Sequence, residues 1–176
     1  MTLRSAFLFV ATISICVTLI CCRQSSSKDS ASNQDCVPRT QLLNLRLLVA
    51  SAMGNLKEMD SMIKAGADVN TSDTLFGTPV VAAADSGKYE AVKLLLNNGA
   101  NVNATDNDGY TALMKSSLGG NSAIVQLLIS KGADVNASCY PLINGKRTSK
   151  FTALLIAKWK KNDQIVKMLT EAGAKE

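Results

Sequence analysis

The sequence predicts an all-α repeat solenoid, in which short helix-turn-helix units stack side by side. Two observations lead to this fold class. A similar five-residue phrase ends at Asn70, Asn103 and Asn136, so the sequence has a period of 33 residues. Within each period, apolar residues follow the i, i+3, i+4 spacing of one helix face. A fixed period of this size is typical of stacked repeats that share one continuous core.

We place four units in the chain, at residues 40–70, 71–103, 104–136 and 137–176. In the second unit, Thr78 is a suitable cap for a first helix, and Pro79 suits its first position. Small residues at 82–84 mark where another helix must come close. Gly87 is expected to end this helix.

A second helix follows, with an apolar stripe that returns in later units. Its members are Ala91, Leu94, Leu95, Ile124, Leu127, Leu128, Ile165, Met168 and Leu169. Gly99 is expected to end the helix, and residues 101–103 to turn the chain into the next loop. Glu58 and Thr170 replace apolar residues of the inner units, as the polar faces of terminal repeats require.

The last unit contains an insertion. Thr111 and Thr152 are 41 residues apart rather than 33, so eight extra residues enter the loop. The Asn-Gly pair at 144–145 favours a tight hairpin turn. We expect a longer β-hairpin to project from the loops of this unit.

The period and the first-helix openings, TPV at 78–80 and TAL at 111–113, resemble those of ankyrin repeats. The resemblance extends from Thr40 to the C-terminus. The histidine common after this opening is absent, and Val81, Met114 and Leu155 take its place. The resemblance implies a scaffold of β-turn loops and helix pairs that recognises another protein.

The resemblance also implies where a partner would bind, namely the loop tips and the outward side of the first helices. The corresponding residues are Leu75, Asp85, Asp108, Tyr110, Leu118, Tyr140, Trp159 and Lys160. Tyr and Trp are frequent anchors of protein interfaces. The alternative is that Leu118 and Trp159 only shield the helices of their own repeats.

The first residues are expected to lie outside the repeat domain. Arg4 and the apolar run 6–20 predict a secretory signal over 1–21. The Ser-rich residues 22–39 predict a flexible tether. The LICC stretch that ends at Cys22 resembles a bacterial lipobox, which implies lipidation of Cys22 and a membrane anchor. Cys21 fits less well as the modified residue, and a simple cleaved signal is the alternative.

Several function classes are disfavoured by composition. The chain has no histidine, so the commonest general base and metal ligand is missing. It also lacks a phosphate-binding glycine loop, and we expect neither an enzyme nor a cofactor. The net charge of +5 falls short of a nucleic-acid-binding signature. We expect a monomer whose partners are a protein and, through its anchor, a membrane.

The location expected from these features is a bacterial cell envelope. Three glycosylation sequons begin at Asn70, Asn103 and Asn136, and sugar on these turn residues would obstruct stacking. This weighs against the endoplasmic reticulum. Two alternatives remain for the function, a stabilising companion of an envelope enzyme and a secreted factor that binds a host protein.

One charged stretch has two interpretations. Residues 140–162 contain six cations and no acid. They would suit an acidic protein or anionic lipid headgroups. A solvated end of the solenoid is the simpler interpretation, because charge runs are usually solvated.

Overall fold

The computed structural model describes residues 38–74, 77–140, 142–143, 146–147 and 150–175, with residues 142–143 and 146–147 described as backbone. The signal and lipidation predictions, including Cys22 and Cys21, lie outside the described residues, as does Leu75. The described residues from Arg39 onward belong to one compact unit, Arg39–Glu176.

The described part of the chain forms helices in antiparallel pairs. The first helices of the pairs are α1 (Arg39–Met53), α3 (Pro79–Asp85), α5 (Ala112–Leu118) and α7 (Ala153–Trp159). The second helices are α2 (Leu56–Lys64), α4 (Tyr89–Asn97), α6 (Ser122–Ser130) and α8 (Asp163–Glu171). First helices pack on first helices and second on second along the chain. This is the stacking that the 33-residue period predicts.

Four of these eight helices begin at a side chain that caps them. The backbone N–H of Met114 donates to the Thr111 hydroxyl at 3.3 Å, and that of Leu155 donates to Thr152 at 3.2 Å. Asn55 and Asn162 cap second helices in the same way. Each bond satisfies a donor that the first turn of a helix leaves without a partner.

Buried small residues allow the first helices to approach one another. Ala83, Ala84, Ser116 and Ser117 are buried at equivalent positions of α3 and α5. Both serine hydroxyls donate to the carbonyl of Leu113, at 3.0 and 2.7 Å. The hydroxyls are therefore satisfied within their own helix and add no unpaired polar group to the core.

The core runs the length of the stack between the two helix layers. Its members include Met62, Leu95, Leu128 and Leu169, which occupy one equivalent position on the second helices. All members of the stripes predicted from sequence contact the core, and the first and last member of each stripe are fully buried. Leu94, Leu127 and Met168, the middle members, are only partly buried. Val92 and Val125 are also fully buried, although the predicted stripes do not include them.

The five-residue motif that ends at Asn70, Asn103 and Asn136 has a second role besides turning the chain. The side-chain carbonyls of its asparagines accept bonds of 2.7–2.8 Å from backbone N–H groups one unit further on. These bonds join Asn70 to Asn101, Asn103 to Asp134 and Asn136 to Lys175. Asn44 of α1 accepts a similar bond from the Asp68 backbone N–H, but within the first unit. The asparagines therefore tie each unit to its neighbour.

Short antiparallel pairings form the loops between helix pairs. Single bridges join Asp73 to Gly77 and Thr105 to Thr111. In the loop before α7, β1 (Ser138–Cys139) pairs with β4 (Phe151–Thr152). Between them, β2 (Leu142–Ile143) pairs with β3 (Lys146–Arg147). This loop contains the eight residues by which the last period exceeds the others.

At the end of the stack, a side chain that is buried in the inner units becomes partly exposed. Val81 and Met114 are buried because a following first helix covers them. Leu155 occupies the same position in α7 and is 39% exposed. Among the described residues, no helix is both long and apolar enough to cross a membrane.

Candidate binding surface

The last residues of three successive first helices form a row along the stack. Asp85 ends α3, Leu118 ends α5 and Trp159 ends α7. Asp85 is exposed, Leu118 is partly buried against the core, and Trp159 is 70% exposed. We call this row, together with Asp108, Tyr110, Tyr140 and Lys160, the binding surface. Leu75 is the one predicted member outside the described residues.

The loop tip before α5 is built around the carboxylate of Asp106. One carboxylate oxygen accepts the backbone N–H groups of Asp108 and Tyr110, at 3.0 and 2.8 Å. The other pairs with the Lys115 ammonium at 2.9 Å, and this pair is only 12–18% exposed. The Lys115 ammonium also lies 4.7 Å from the centre of the Tyr110 ring. Tyr110 and Asp108 are therefore presented by a tip whose geometry is held by several bonds.

The ionisation states at this tip follow from burial and from Asp106. Burial lowers the pKa of Lys115, but the hydrogen bond and charge of Asp106 outweigh it and leave the pKa raised. Burial raises the pKa of Tyr110. Lys115 is therefore a cation and Tyr110 a neutral phenol at neutral pH, and Lys115 is not suited to act as a nucleophile.

Neighbouring loop tips are joined to one another. The Asn107 amide donates to the carbonyls of Thr74 and Asp73, at 2.6 and 3.2 Å. Gly77 has φ of +67°, and a side chain on it would lie 2.7 Å from the Asp106 backbone. Only glycine fits this approach. Neither Asn107 nor Asp106 is among the residues predicted from sequence, although the Asn-Asp pair before Gly109 is typical of a turn.

Cys139 lies behind the same tip. It is a free, buried cysteine, and a side chain on Gly109 would meet its Cβ at 3.1 Å. Burial raises the pKa of this thiol above its ordinary value of 9.0. A buried thiol with a raised pKa is poorly reactive, so Cys139 contributes packing rather than chemistry.

The last repeat supplies the most exposed aromatic side chains of the surface. Trp159 is 70% exposed and Tyr140 is 50% exposed. The Lys160 ammonium lies 4.9 Å from the centre of the Trp159 ring. Trp159 is thus mostly open to solvent, whereas Leu118 and Tyr110 also pack against the core.

The described residues hold no group of three or more His, Cys, Asp or Glu side chains placed to bind a metal ion. The features of the surface are instead exposed aromatic rings, fixed loop tips and charges of both signs. Such a surface is suited to recognising a macromolecule by shape and charge.

The fold and this surface define a class of protein, the helical repeat solenoid that presents its loop tips and first helices to solvent. The family follows from a comparison with known families. Residues 47–139 match the family model for ankyrin repeats, described as three copies. The match covers more than half of the 176 residues, so the chain belongs to the ankyrin-repeat family. No curated protein matches the chain. Ankyrin repeats are typically non-catalytic modules that bind other proteins.

Proposed function

We propose that this protein is a monomeric, non-catalytic scaffold that binds another protein through the binding surface. The observation that carries the proposal is the exposure of Trp159 at the end of α7, in one row with Leu118 and Asp85. A large apolar ring held in water on a helix is a poor contribution to folding but a strong interface anchor. Tyr110 and Tyr140 add two more aromatic side chains near the loop tips.

The proposal includes a fourth ankyrin unit over residues 137–176. The family match ends at Cys139, but α7 and α8 continue the helix pairing of the preceding units. Thr152 caps α7 as Thr111 caps α5. The longer loop with the β2–β3 pairing projects as a finger beside Tyr140 in this proposal.

The scaffold is proposed to work at a bacterial envelope. Residues 1–21 would direct export, Cys22 would carry the lipid, and residues 22–39 would tether the repeats to the membrane. Mass spectrometry of the mature protein tests this directly. We expect a lipid-modified N-terminal Cys22, retained after Cys21→Ser and lost after Cys22→Ser. An unmodified N-terminus beyond Cys22 would contradict the anchor and favour a simple cleaved signal.

Binding is tested by crosslinked pull-down from membrane fractions, with the full-length protein as bait. The first variant is Trp159→Ala, and the second adds Tyr110→Ala and Leu118→Ala. The matched control replaces exposed residues of the second helices, Lys93, Gln126 and Gln164, by Ala. All baits must show equal thermal stability, because Tyr110 and Leu118 also contact the core.

A protein captured by the native chain and the control, but lost from both Trp159 variants, would support the scaffold. Capture by every bait would move the site away from this surface. No specific partner in the membrane fraction would count against the envelope scaffold. The same baits would then be used with host proteins.

A further inference from the structure

The last repeat has an excess of cations without carboxylate partners. Lys150, Lys160 and Lys161 are exposed, and none takes part in an ion pair with the described residues. Elsewhere in the described part, Arg46, Lys64 and Lys115 each pair with a carboxylate, whereas Lys57 and Lys93 on the second helices are exposed and form none of these ion pairs. The charges of this end are therefore available to a partner.

Lys161 lies in a backbone conformation that a lysine rarely adopts. It follows α7 with φ of +56°. After the other first helices the equivalent residues are Gly54, Gly87 and Gly120, with φ of +75°, +68° and +73°. In the left-handed region the Cβ of a side chain lies too close to the following carbonyl oxygen, a strain that glycine avoids. Backbone strain of this kind is often found at functional sites, so a lysine at a position where the other units have glycine suggests a function for its side chain.

This strained lysine stands beside the exposed aromatic anchor. Trp159, Lys160 and Lys161 are consecutive, and the Lys160 ammonium lies 4.9 Å from the Trp159 ring centre. An apolar ring flanked by unpaired cations is complementary to an apolar side chain flanked by carboxylates. We call Trp159, Lys160 and Lys161 the basic end of the binding surface.

We propose that the basic end binds an acidic segment of a protein partner. An apolar side chain of that segment packs on Trp159, and neighbouring carboxylates pair with Lys160 and Lys161. This inference rests on the proposed scaffold function and adds the chemistry of its partner.

Charges along the rest of the surface favour a protein segment over a membrane. Asp85 and Asp108 are exposed on the same surface, two units and one unit before the basic end, respectively. A flat anionic bilayer that covered the surface would meet these acids as well as the lysines. A peptide segment can place its carboxylates at the basic end alone.

The first test measures binding of a dye-labelled peptide by fluorescence anisotropy. The probe carries glutamates around a central leucine pair, and the reference peptide replaces every glutamate by glutamine. The protein is the full chain with Cys21→Ser and Cys22→Ser, so that no lipid is attached. We expect the glutamate peptide to bind at least about tenfold more tightly than the glutamine peptide, and less tightly as salt rises.

Two pairs of charge reversals locate the site. Lys160→Glu with Lys161→Glu should weaken binding of the glutamate peptide by about tenfold or more. The matched control, Lys57→Glu with Lys93→Glu, changes the net charge equally on the second helices and should change binding by less than about twofold. Equal losses in both pairs would show a general charge effect and overturn the proposal.

The sharpest variant is Lys161→Gly, because its effects on folding and binding should oppose each other. The melting temperature should rise by about 3 °C as the strain is removed. Binding of the glutamate peptide should weaken by about threefold as one cation is lost. If the Lys161→Gly variant is more stable but binds the peptide as tightly as the native chain, Lys161 takes no part in recognition.

Vesicles decide between an acidic protein segment and lipid. The same unlipidated chain is mixed with vesicles containing phosphatidylserine. Vesicle binding that needs Lys160 and Lys161, with no preference for the glutamate peptide, would overturn the proposal in favour of a membrane surface. A protein partner from the pull-down that depends on Trp159 but not on these lysines would leave the scaffold standing and reject the acidic segment.

Discussion

Thr78, Thr111 and Thr152 precede three successive first helices at equivalent positions, but their hydroxyls have different surroundings. The Thr111 and Thr152 oxygens each accept a capping N–H. The Thr78 oxygen is buried without a hydrogen-bond partner among the described residues. Thr78 is therefore at the N-cap, as the sequence predicts, but its side chain makes no capping bond.

This difference predicts opposite outcomes for one substitution. Thr111→Val should lower the free energy of unfolding by about 1 kcal/mol, because a capping bond is lost. Thr78→Val should leave it unchanged or raise it by up to about 1 kcal/mol, because a buried unpaired hydroxyl is removed. Urea denaturation of both variants checks this. Equal losses would mean that the Thr78 hydroxyl is satisfied in solution.

At the scale of the elements, the asparagine bonds join one unit to the next. Asn103→Ala removes the bond to the Asp134 backbone and should cost about 1 kcal/mol. Asn98→Ala is the matched control, because its amide bonds within its own turn to Leu94. Hydrogen exchange should show faster opening of the Asp134 turn in Asn103→Ala only. Unchanged protection there would contradict a stacking role.

These asparagines also begin the three sequons. The Asn70 and Asn136 amide nitrogens donate to the carbonyls of Gly99 and Gly173, at 3.1 and 3.3 Å. A glycan would be attached to that same nitrogen. The contacts support the sequence argument that sugar at these positions would disturb stacking.

Stacking also predicts how the end of the array differs from its interior. Met114→Ala should cost about 3 kcal/mol, because the side chain is buried between α5 and its neighbours. Leu155→Ala should cost about 1 kcal/mol or less, since the equivalent side chain of α7 is partly exposed. Thermal and urea denaturation measure both. A large loss for Leu155→Ala would indicate that something covers this end in solution.

At the scale of the whole molecule, stability should fall at alkaline pH. Burial raises the pKa values of Cys139 and Tyr110 above their ordinary values of 9.0 and 10.0. Asp106 raises that of Lys115 above 10.5, against the opposing effect of burial. Each folded pKa lies above the unfolded one, so these contributions are complete below pH 9 and are lost as pH rises through the folded values.

The melting temperature of the native chain should therefore begin to decline near pH 9. In Cys139→Ala the onset should move toward pH 10, because the lowest of these groups has been removed. Scanning calorimetry from pH 7 to 11 under reducing conditions provides the test. An unchanged onset in the variant would show that the thiol does not contribute to the decline.

The repeated parts of this fold could be predicted from the sequence because each depends on a short sequence pattern that occurs in several units. The threonine cap, the apolar stripe and the glycine turn depend on neighbours within a few residues. Asn107 and Asp106 could not be assigned in this way. Their partners, Thr74 and Lys115, depend on how one loop lies against the next unit.

The candidate surface was only partly predictable for the same reason. The family pattern predicted that Tyr110 and Trp159 lie at outward positions. It did not predict that Tyr110 packs on the core while Trp159 is mostly exposed. Exposure depends on whether another first helix packs on this side, and the described residues contain no first helix after α7. The left-handed conformation of Lys161 also needed the structure, because lysine itself gives no local signal for it.

By itself, the sequence determined the period, the helix pairs and the family, because these follow from spacing along the chain. The tertiary structure decided which polar groups are paired, which thiol is buried and which charges lack partners. These depend on contacts between units about 30 residues apart, which periodicity predicts as stacking but does not describe atom by atom.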